Sequence, residues 1–435
     1  MKCIRSKSPP GAASATRPSS RPFRWRPRRR SRQFQAIPVA TQAPVTQPGG
    51  VIGLSRSYEG TDGRWVMRTR ALGTPLTVTA GLTTERLDEH RLGFQNFTGT
   101  GVAQVLGVEG ALRRDEDNRV RTFDQYVQGV WEGERVSVTA GVRHSRARFD
   151  SRDHFISGAN GDDSGAVAYS ATTPVAGVVW HANDRLNLYV SAGRGFETPT
   201  FNELAYRPGG GGLNFNLRSA TSRQLEVGAK ALLGGNWKLN AALFEARTSD
   251  ELVVLTNSGG RSTFQNAGRT RRRGFEAALD GTLGGGWSAS IAATALQAEY
   301  ATGFLTCGPP PCTVPTVAIP AGQRIPGIPR TMLFGELAWT HKPWGLETAA
   351  ELRHTGRMAV DDANSDFAGA STVLALRASL RQAVGAWRLR EFVRVDNVTD
   401  RRYAGSVIVN EGNGRFFEPA PGRNWLLGVN AAYTF

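Results

Sequence analysis

No apolar run in this 435-residue chain approaches the roughly 20 residues that a membrane-spanning helix requires. Cysteine is scarce at 3 residues and histidine at 6. His90, His144, His154, His181, His341 and His354 lack the spacing that gathers a metal ion, so no metal site is expected. Asp361, Asp362, Asn364 and Asp366 superficially suggest calcium, but the glycine and terminal glutamate of a calcium loop are missing, and a solvated loop is the better reading. No nucleophile elbow, phosphate loop or metal motif sits on a strand–helix frame, so neither an enzyme nor a resident cofactor is expected. The first fifty residues contain no acid, yet eleven lysines and arginines fall there, and the net charge of +16 is largely a property of that stretch.

Glycine, by contrast, is plentiful at 51 residues, and so is period-two alternation. In the last segment Trp425, Leu427, Val429, Ala431, Tyr433 and Phe435 alternate with Asn424, Gly428, Asn430 and Thr434, with aromatics at both ends. A strand with hydrocarbon on one side and water on the other needs this pattern, with aromatics at the two interfaces. Leu186–Gly193, Val136–Val142 and Trp237–Leu243 repeat it, the last with Trp237 at an interface and Lys238 and Asn240 turned inward. Each such strand needs only about 10 residues to cross lipid, so a barrel leaves no hydropathy peak.

From about Val51 onward, tight turns such as Leu72-Gly73-Thr74-Pro75 and Gly234-Gly235-Asn236 alternate with long polar stretches. Those stretches lie near 88–121, 151–168, 195–222, 250–270, 299–330, 360–371 and 404–422. Short turns at one end and long loops at the other are the asymmetry of an outer-membrane barrel. The expected fold is all-β, an antiparallel transmembrane β-barrel of about fifteen strands. An odd count does not complete a bacterial barrel, whereas barrels of 22 strands with a plugged lumen are outer-membrane transporters. The chain therefore reads as strands 8 to 22, with about seven strands and a plug domain missing.

Two segments need separate readings. Residues 1–50, rich in Ser, Pro and Arg, cannot bury enough apolar surface to fold and read as a disordered basic tail, with the partial barrel at 51–435. Such a tail suits nucleic acid or acidic lipid. It also lacks the apolar core of a secretory signal, so a truncated or wrongly framed start is expected. Cys307 and Cys312 are separated by four residues in a Pro-rich stretch, and a short disulfide loop, stable in an oxidising space, is preferred over a metal site.

A set of motifs then resembles the C-terminal part of a TonB-dependent receptor barrel. These are Gly193-Arg194-Gly195-Phe196-Glu197-Thr198-Pro199, the Leu225–Lys230 strand, Asn266-Ala267-Gly268 with Gly274-Phe275-Glu276, Pro326-Gly327-Ile328-Pro329-Arg330, Val395–Tyr403, and the Phe435 end. A finer match is to the pyrroloquinoline quinone receptor branch. It rests on Leu112–Asn118, Gly259-Gly260-Arg261, the Cys307/Cys312 loop and Ser406–Pro419. The resemblance implies import of a scarce small ligand across the outer membrane of a Gram-negative bacterium, energised by the TonB complex through a plug that residues 1–50 do not resemble. It also implies outer-membrane lipid, lipopolysaccharide and, through Phe435, the barrel assembly machinery as partners. A ferric siderophore or cobalamin receptor, or a non-functional barrel fragment, is the alternative.

Candidate ligand-binding residues are Arg113, Arg114, Tyr206, Arg207, Arg261, Arg415 and Phe416. Fork-shaped guanidinium groups suit the three carboxylates of pyrroloquinoline quinone, and Tyr206, Phe416 and Phe417 can stack on its planar rings. Asp396, Asn397, Asp400 and Tyr403, like Glu226 with Lys230, read as architectural.

Overall fold

In a computed structural model, the described residues are 28–33 and 50–434, apart from 159, 208–211, 259–260, 309–311, 313 and 413. Most of the expected basic tail, and Phe435, lie outside them. Residues 28–33 form a strand that pairs antiparallel with Gly50–Ser55. The chain divides into two compact units, one containing Pro38–His181 and the other Ala182–Phe435.

The first unit is an antiparallel meander of Gly50–Ala71, Thr74–Gln95, Leu112–Glu132, Val136–Asp153 and Gly165–Asn183, each strand paired with the next. The second continues the pattern through Leu186–Glu197, Ala220–Leu233, Trp237–Ser249, Arg269–Gly284 and Trp287–Tyr300. It ends with Thr331–His341, Leu346–Thr355, Ser371–Val384, Trp387–Asp396 and Asn424–Tyr433. From Gly50 onward these are fifteen long strands, and the fold is all-β and antiparallel. Short turns join one set of strand ends. Leu72 and Gly73, both at positive φ, make a two-residue hairpin turn whose twist suits its strands. The other ends are joined by long loops.

The strands differ from expectation in length. Residues 88–95 and 112–121, expected in a long polar loop, are strand, so that Thr74–Gln95 spans 22 residues and Leu112–Glu132 spans 21. Cross-strand pairing of opposite charges keeps this polar stretch regular. Arg56 bonds Glu89, Arg119 bonds Asp88 at 2.6 Å, and His90 meets Asp117 at 2.9 Å.

Each sheet presents two unlike faces. Leu225, Val227, Leu243, Phe275 and Leu337 are exposed on one, as a face that meets hydrocarbon must be. On the other, Arg377 bonds Glu336 at 2.9 Å and Glu347 at 2.8 Å, and Arg394 clasps Glu351 with both terminal nitrogens at 2.7 and 2.8 Å. Tyr189 donates to Glu226 at 2.6 Å on this polar face, with Lys230 over its ring.

Part of the glycine content has a steric cause here. A Cβ on Gly428 would lie 2.3 Å from the Phe392 ring, which packs flat across the neighbouring strand. Gly428→Val should displace that ring and cost about 1–3 kcal/mol through overpacking. A lowered urea midpoint for the vesicle-inserted barrel checks this; an unchanged midpoint refutes it.

Candidate ligand-binding site

The long loops of the second unit do not hang separately. After the strand ending at Glu197, Thr200 and Glu203 form a capping box that starts the helical turn Phe201–Leu204 and buries Leu204 completely. Tyr206 and Arg207 follow this turn. Asn214 N–H donates to the Leu204 carbonyl at 2.7 Å. Asn266 then ties the loop to the hairpin Leu252–Ser258/Arg261–Asn266, accepting from Arg218 N–H at 2.9 Å and donating to the Arg218 carbonyl at 2.9 Å. Arg261 opens the second strand of that hairpin; its side chain, like Gly259 and Gly260, lies outside the described residues. Gly412 N–H donates to the Asn257 carbonyl at 2.8 Å and brings in the loop that carries Arg415 and Phe416. Arg415 is exposed, and Phe416 packs edge-on against Phe417 at 6.3 Å. Tyr206, Arg207, Arg261, Arg415 and Phe416 thus sit on three loops bonded in series.

Arg113 and Arg114 belong to the first unit, at the start of Leu112–Glu132. Arg114 is bonded to Glu116, and its side chain is 14% exposed. Arg113 lies against Gly50, where a Cβ would come within 2.7 Å of its guanidinium.

The node of the second unit's loops is a set of contacts that the sequence does not show. Asp362 is 1% exposed, which corrects the reading of residues 361–366 as a solvated loop. Its Oδ1 accepts from the Tyr300 hydroxyl at 2.6 Å and its Oδ2 from Asn410 Nδ2 at 2.8 Å, while Asn410 Oδ1 accepts from Asp362 N–H at 3.0 Å. Asn410 Nδ2 also donates to the Val254 carbonyl at 2.7 Å. Together the Asp362 and Asn410 side chains join three loops and the end of a strand. Burial pushes the Asp362 carboxyl above the usual carboxylate range, against the pull of its two donors. Asn410 holds φ at +54°, a conformation asparagine tolerates better than most residues. Asn364 extends the node, accepting from Arg324 N–H at 3.0 Å and donating to its carbonyl at 2.9 Å. Pairs 40 or more residues apart leave no local signal in a single sequence: Asp362 and Asn364 read as part of a solvated acidic loop, and Asn410 only as part of the Ser406–Pro419 motif.

Asn397, 2% exposed, clamps the last long loop by donating to the carbonyls of Arg401 at 2.8 Å and Pro421 at 3.3 Å. Cys307 and Cys312 are joined by a disulfide, with Cα atoms 5.8 Å apart, between the short strands Phe304–Thr306 and Val317–Ile319. Among the described residues, no group of three or more His, Cys, Asp or Glu side chains is arranged to hold a metal ion.

Alternating faces, short turns opposite long loops and a polar charge ladder opposite an apolar face define the wall of a membrane barrel. The chain belongs to the TonB dependent receptor-like, beta-barrel family, whose model matches residues 19–398. Solved structures share this fold. The ferric yersiniabactin uptake receptor FyuA from Yersinia pestis matches with a TM-score of 0.63 at 17% identity, over 88% of this chain and 55% of that one. The ferric citrate transporter FecA in its unliganded form gives 0.69 at 15%, over 88% and 55%. The siderophore receptor PiuA from Acinetobacter baumannii gives 0.69 at 16%, over 90% and 58%. The chain spans a little over half the length of these structures. Members of this family are receptors of the Gram-negative outer membrane that carry small ligands inward, not enzymes.

Proposed function

We propose that this chain is the C-terminal barrel part of an outer-membrane receptor that takes up a small polycarboxylated ligand, with pyrroloquinoline quinone as its first candidate. The linkage of the Tyr206/Arg207, Arg261 and Arg415/Phe416 loops supports this reading above all, because it holds cations and aromatic rings on one connected scaffold. Three carboxylates on a planar ring system match such a set: forks for the charges, rings for the plane. Import energised by TonB needs a plug, to be supplied by sequence other than the residues described. A ferric chelate is the second reading, favoured by solved relatives that carry ferric yersiniabactin and ferric citrate.

The test is a binding titration of the full receptor with the quinone cofactor, a ferric carboxylate chelate and cobalamin in separate arms. Replacing Arg261 and Arg415 together by Gln should weaken quinone binding roughly a hundredfold, since each lost charge-assisted hydrogen bond costs about 1.5–3 kcal/mol. Barrel assembly should survive. Normal binding by the double variant would remove these arginines from the site. Saturable binding of the ferric chelate without the quinone would select the second reading.

A further inference from the structure

Near the end of the chain, the apolar face of the second unit carries an isolated acid. On Trp387–Asp396, Arg390 and Arg394 alternate to the polar face, where Arg394 bonds Glu351. Leu389, Glu391 and Val393 therefore belong to the apolar face. Register sets Glu391 between Leu380 and Val429, and Val429 is 66% exposed on that face. Ala378 and Ala431 are its diagonal neighbours.

The depth of Glu391 is fixed by aromatic rows above and below it. Trp387 and Tyr433 are in register beside the short turn, with ring centroids 5.1 Å apart, and Trp425 is in register with Val395 at the loop end. Aromatics at the two ends of a strand mark the two membrane interfaces. Glu391 stands midway, four residues from Trp387 and four from Val395. At about 3.3 Å per residue and a tilt near 40°, each step of four residues rises about 10 Å, which puts the carboxyl at the middle of the hydrocarbon. Its Oε2 is buried and has no hydrogen-bond partner, and Gln382, on the same face of the neighbouring strand, does not bond it. A carboxyl at this depth is costly and marks a functional contact by default, with a donor to be found for it.

We propose that Glu391 and the small residues diagonal to it form a docking face for a second membrane protein, one that brings an arginine or lysine to the middle of the bilayer. The proposal rests on the membrane-barrel reading above and adds a partner to it. Charge complementarity selects the partner, since a carboxylate and a cation in hydrocarbon offset each other's desolvation through charge-assisted hydrogen bonds. A second copy of this chain does not supply the cation. Among the described residues, no lysine or arginine lies at this depth on the apolar face of either unit. A lipid amine stays at the interface, about 10 Å away. Ala378 and Ala431 let a neighbouring backbone come close, as small residues do between membrane segments.

The full receptor is reconstituted in phosphatidylcholine vesicles with synthetic apolar helices of about 20 residues that carry Arg, Gln or Leu at their centre. Association is read by energy transfer from receptor tryptophans to a dansyl group on the helix. The Arg helix should associate at least tenfold more tightly than the Leu helix, with the Gln helix between them. Glu391→Leu should erase this preference without lowering the urea midpoint of the vesicle-inserted barrel. Equal association of the Arg and Leu helices with the unmutated receptor overturns the proposal whether or not the variant folds, as does a preference that survives in folded Glu391→Leu. A lowered midpoint in the variant would assign Glu391 to a bond within its own barrel and overturn it too. So would energy transfer between two labelled copies of the receptor that is lost in Glu391→Leu, which would assign the face to self-association. Failure of the unmutated receptor to insert into the vesicles would overturn the membrane reading first.

Discussion

Asp362→Ala should release the loops of the second unit. The substitution strips the Tyr300 hydroxyl of its acceptor and Asn410 Nδ2 of one of its two, the Val254 carbonyl remaining, and Tyr300 is completely buried. A buried polar group left without a partner costs about 1–3 kcal/mol, so the loops lose about that much order through Tyr300, and more through the lost Asn410 bond. Limited proteolysis of the folded barrel should then cut within 250–258, 356–370 or 404–422 at least thirtyfold faster, with the strands intact. Asp362→Asn should rescue only part of this, because its single amide oxygen accepts from Asn410 Nδ2 or from the Tyr300 hydroxyl but does not replace both carboxylate oxygens. Loop cleavage at the unmutated rate in the Ala variant would show that the node is not what orders the loops. The same carboxyl gives the loops a pH dependence. Its pKa in the closed loops is raised, so these bind the proton more tightly than opened loops do. Its contribution to loop order is therefore greatest below the ordinary carboxylate value and falls as pH rises through the raised one. Protease protection should weaken from pH 4 towards pH 7 in the unmutated chain and lose that slope in Asp362→Ala.

The second large effect is expected at Glu351, on the polar face of Leu346–Thr355. Its carboxylate holds Arg394 at 2.7 and 2.8 Å and touches Arg377 at 3.4 Å and Arg353 at 3.3 Å, and the residue is only 6% exposed. Arg394 keeps Asp396, and Arg377 keeps Glu336 and Glu347, when Glu351 is lost. Even so, the two charge-assisted hydrogen bonds from Arg394 are lost, each costing about 1.5–3 kcal/mol. Glu351→Ala should lower the urea midpoint of the vesicle-inserted barrel markedly, followed by tryptophan fluorescence. A shift no larger than that of an exposed control such as Arg247→Ala would mean that water already screens the ladder.

The strands were legible in the sequence because a half-wet, half-lipid sheet imposes period two on every residue that crosses. Trp237–Ser249 and Asn424–Tyr433 show it without help from neighbours. The upper ends of Thr74–Gln95 and Leu112–Glu132 were read as loop for a physical reason. Above the lipid both faces turn polar and the alternation vanishes, while backbone pairing and charge pairs such as Arg119–Asp88 continue. The candidate site was legible in its residue types but not in its wiring. Arg261 and Arg415 announce themselves as loop cations, whereas Asp362 looked like one solvated acid among several until Tyr300 and Asn410 closed over it.

The Asn410 side chain has a consequence for how such a receptor can change its ligand. It reaches into 250–258 through the Val254 carbonyl and into 356–370 through Asp362, while its own backbone belongs to 404–422. Transplanting any one of these loops from a relative would sever contacts whose other halves stay behind in the recipient. The three segments are thus inherited together or not at all, and a new specificity introduced by recombination would have to arrive as a trio.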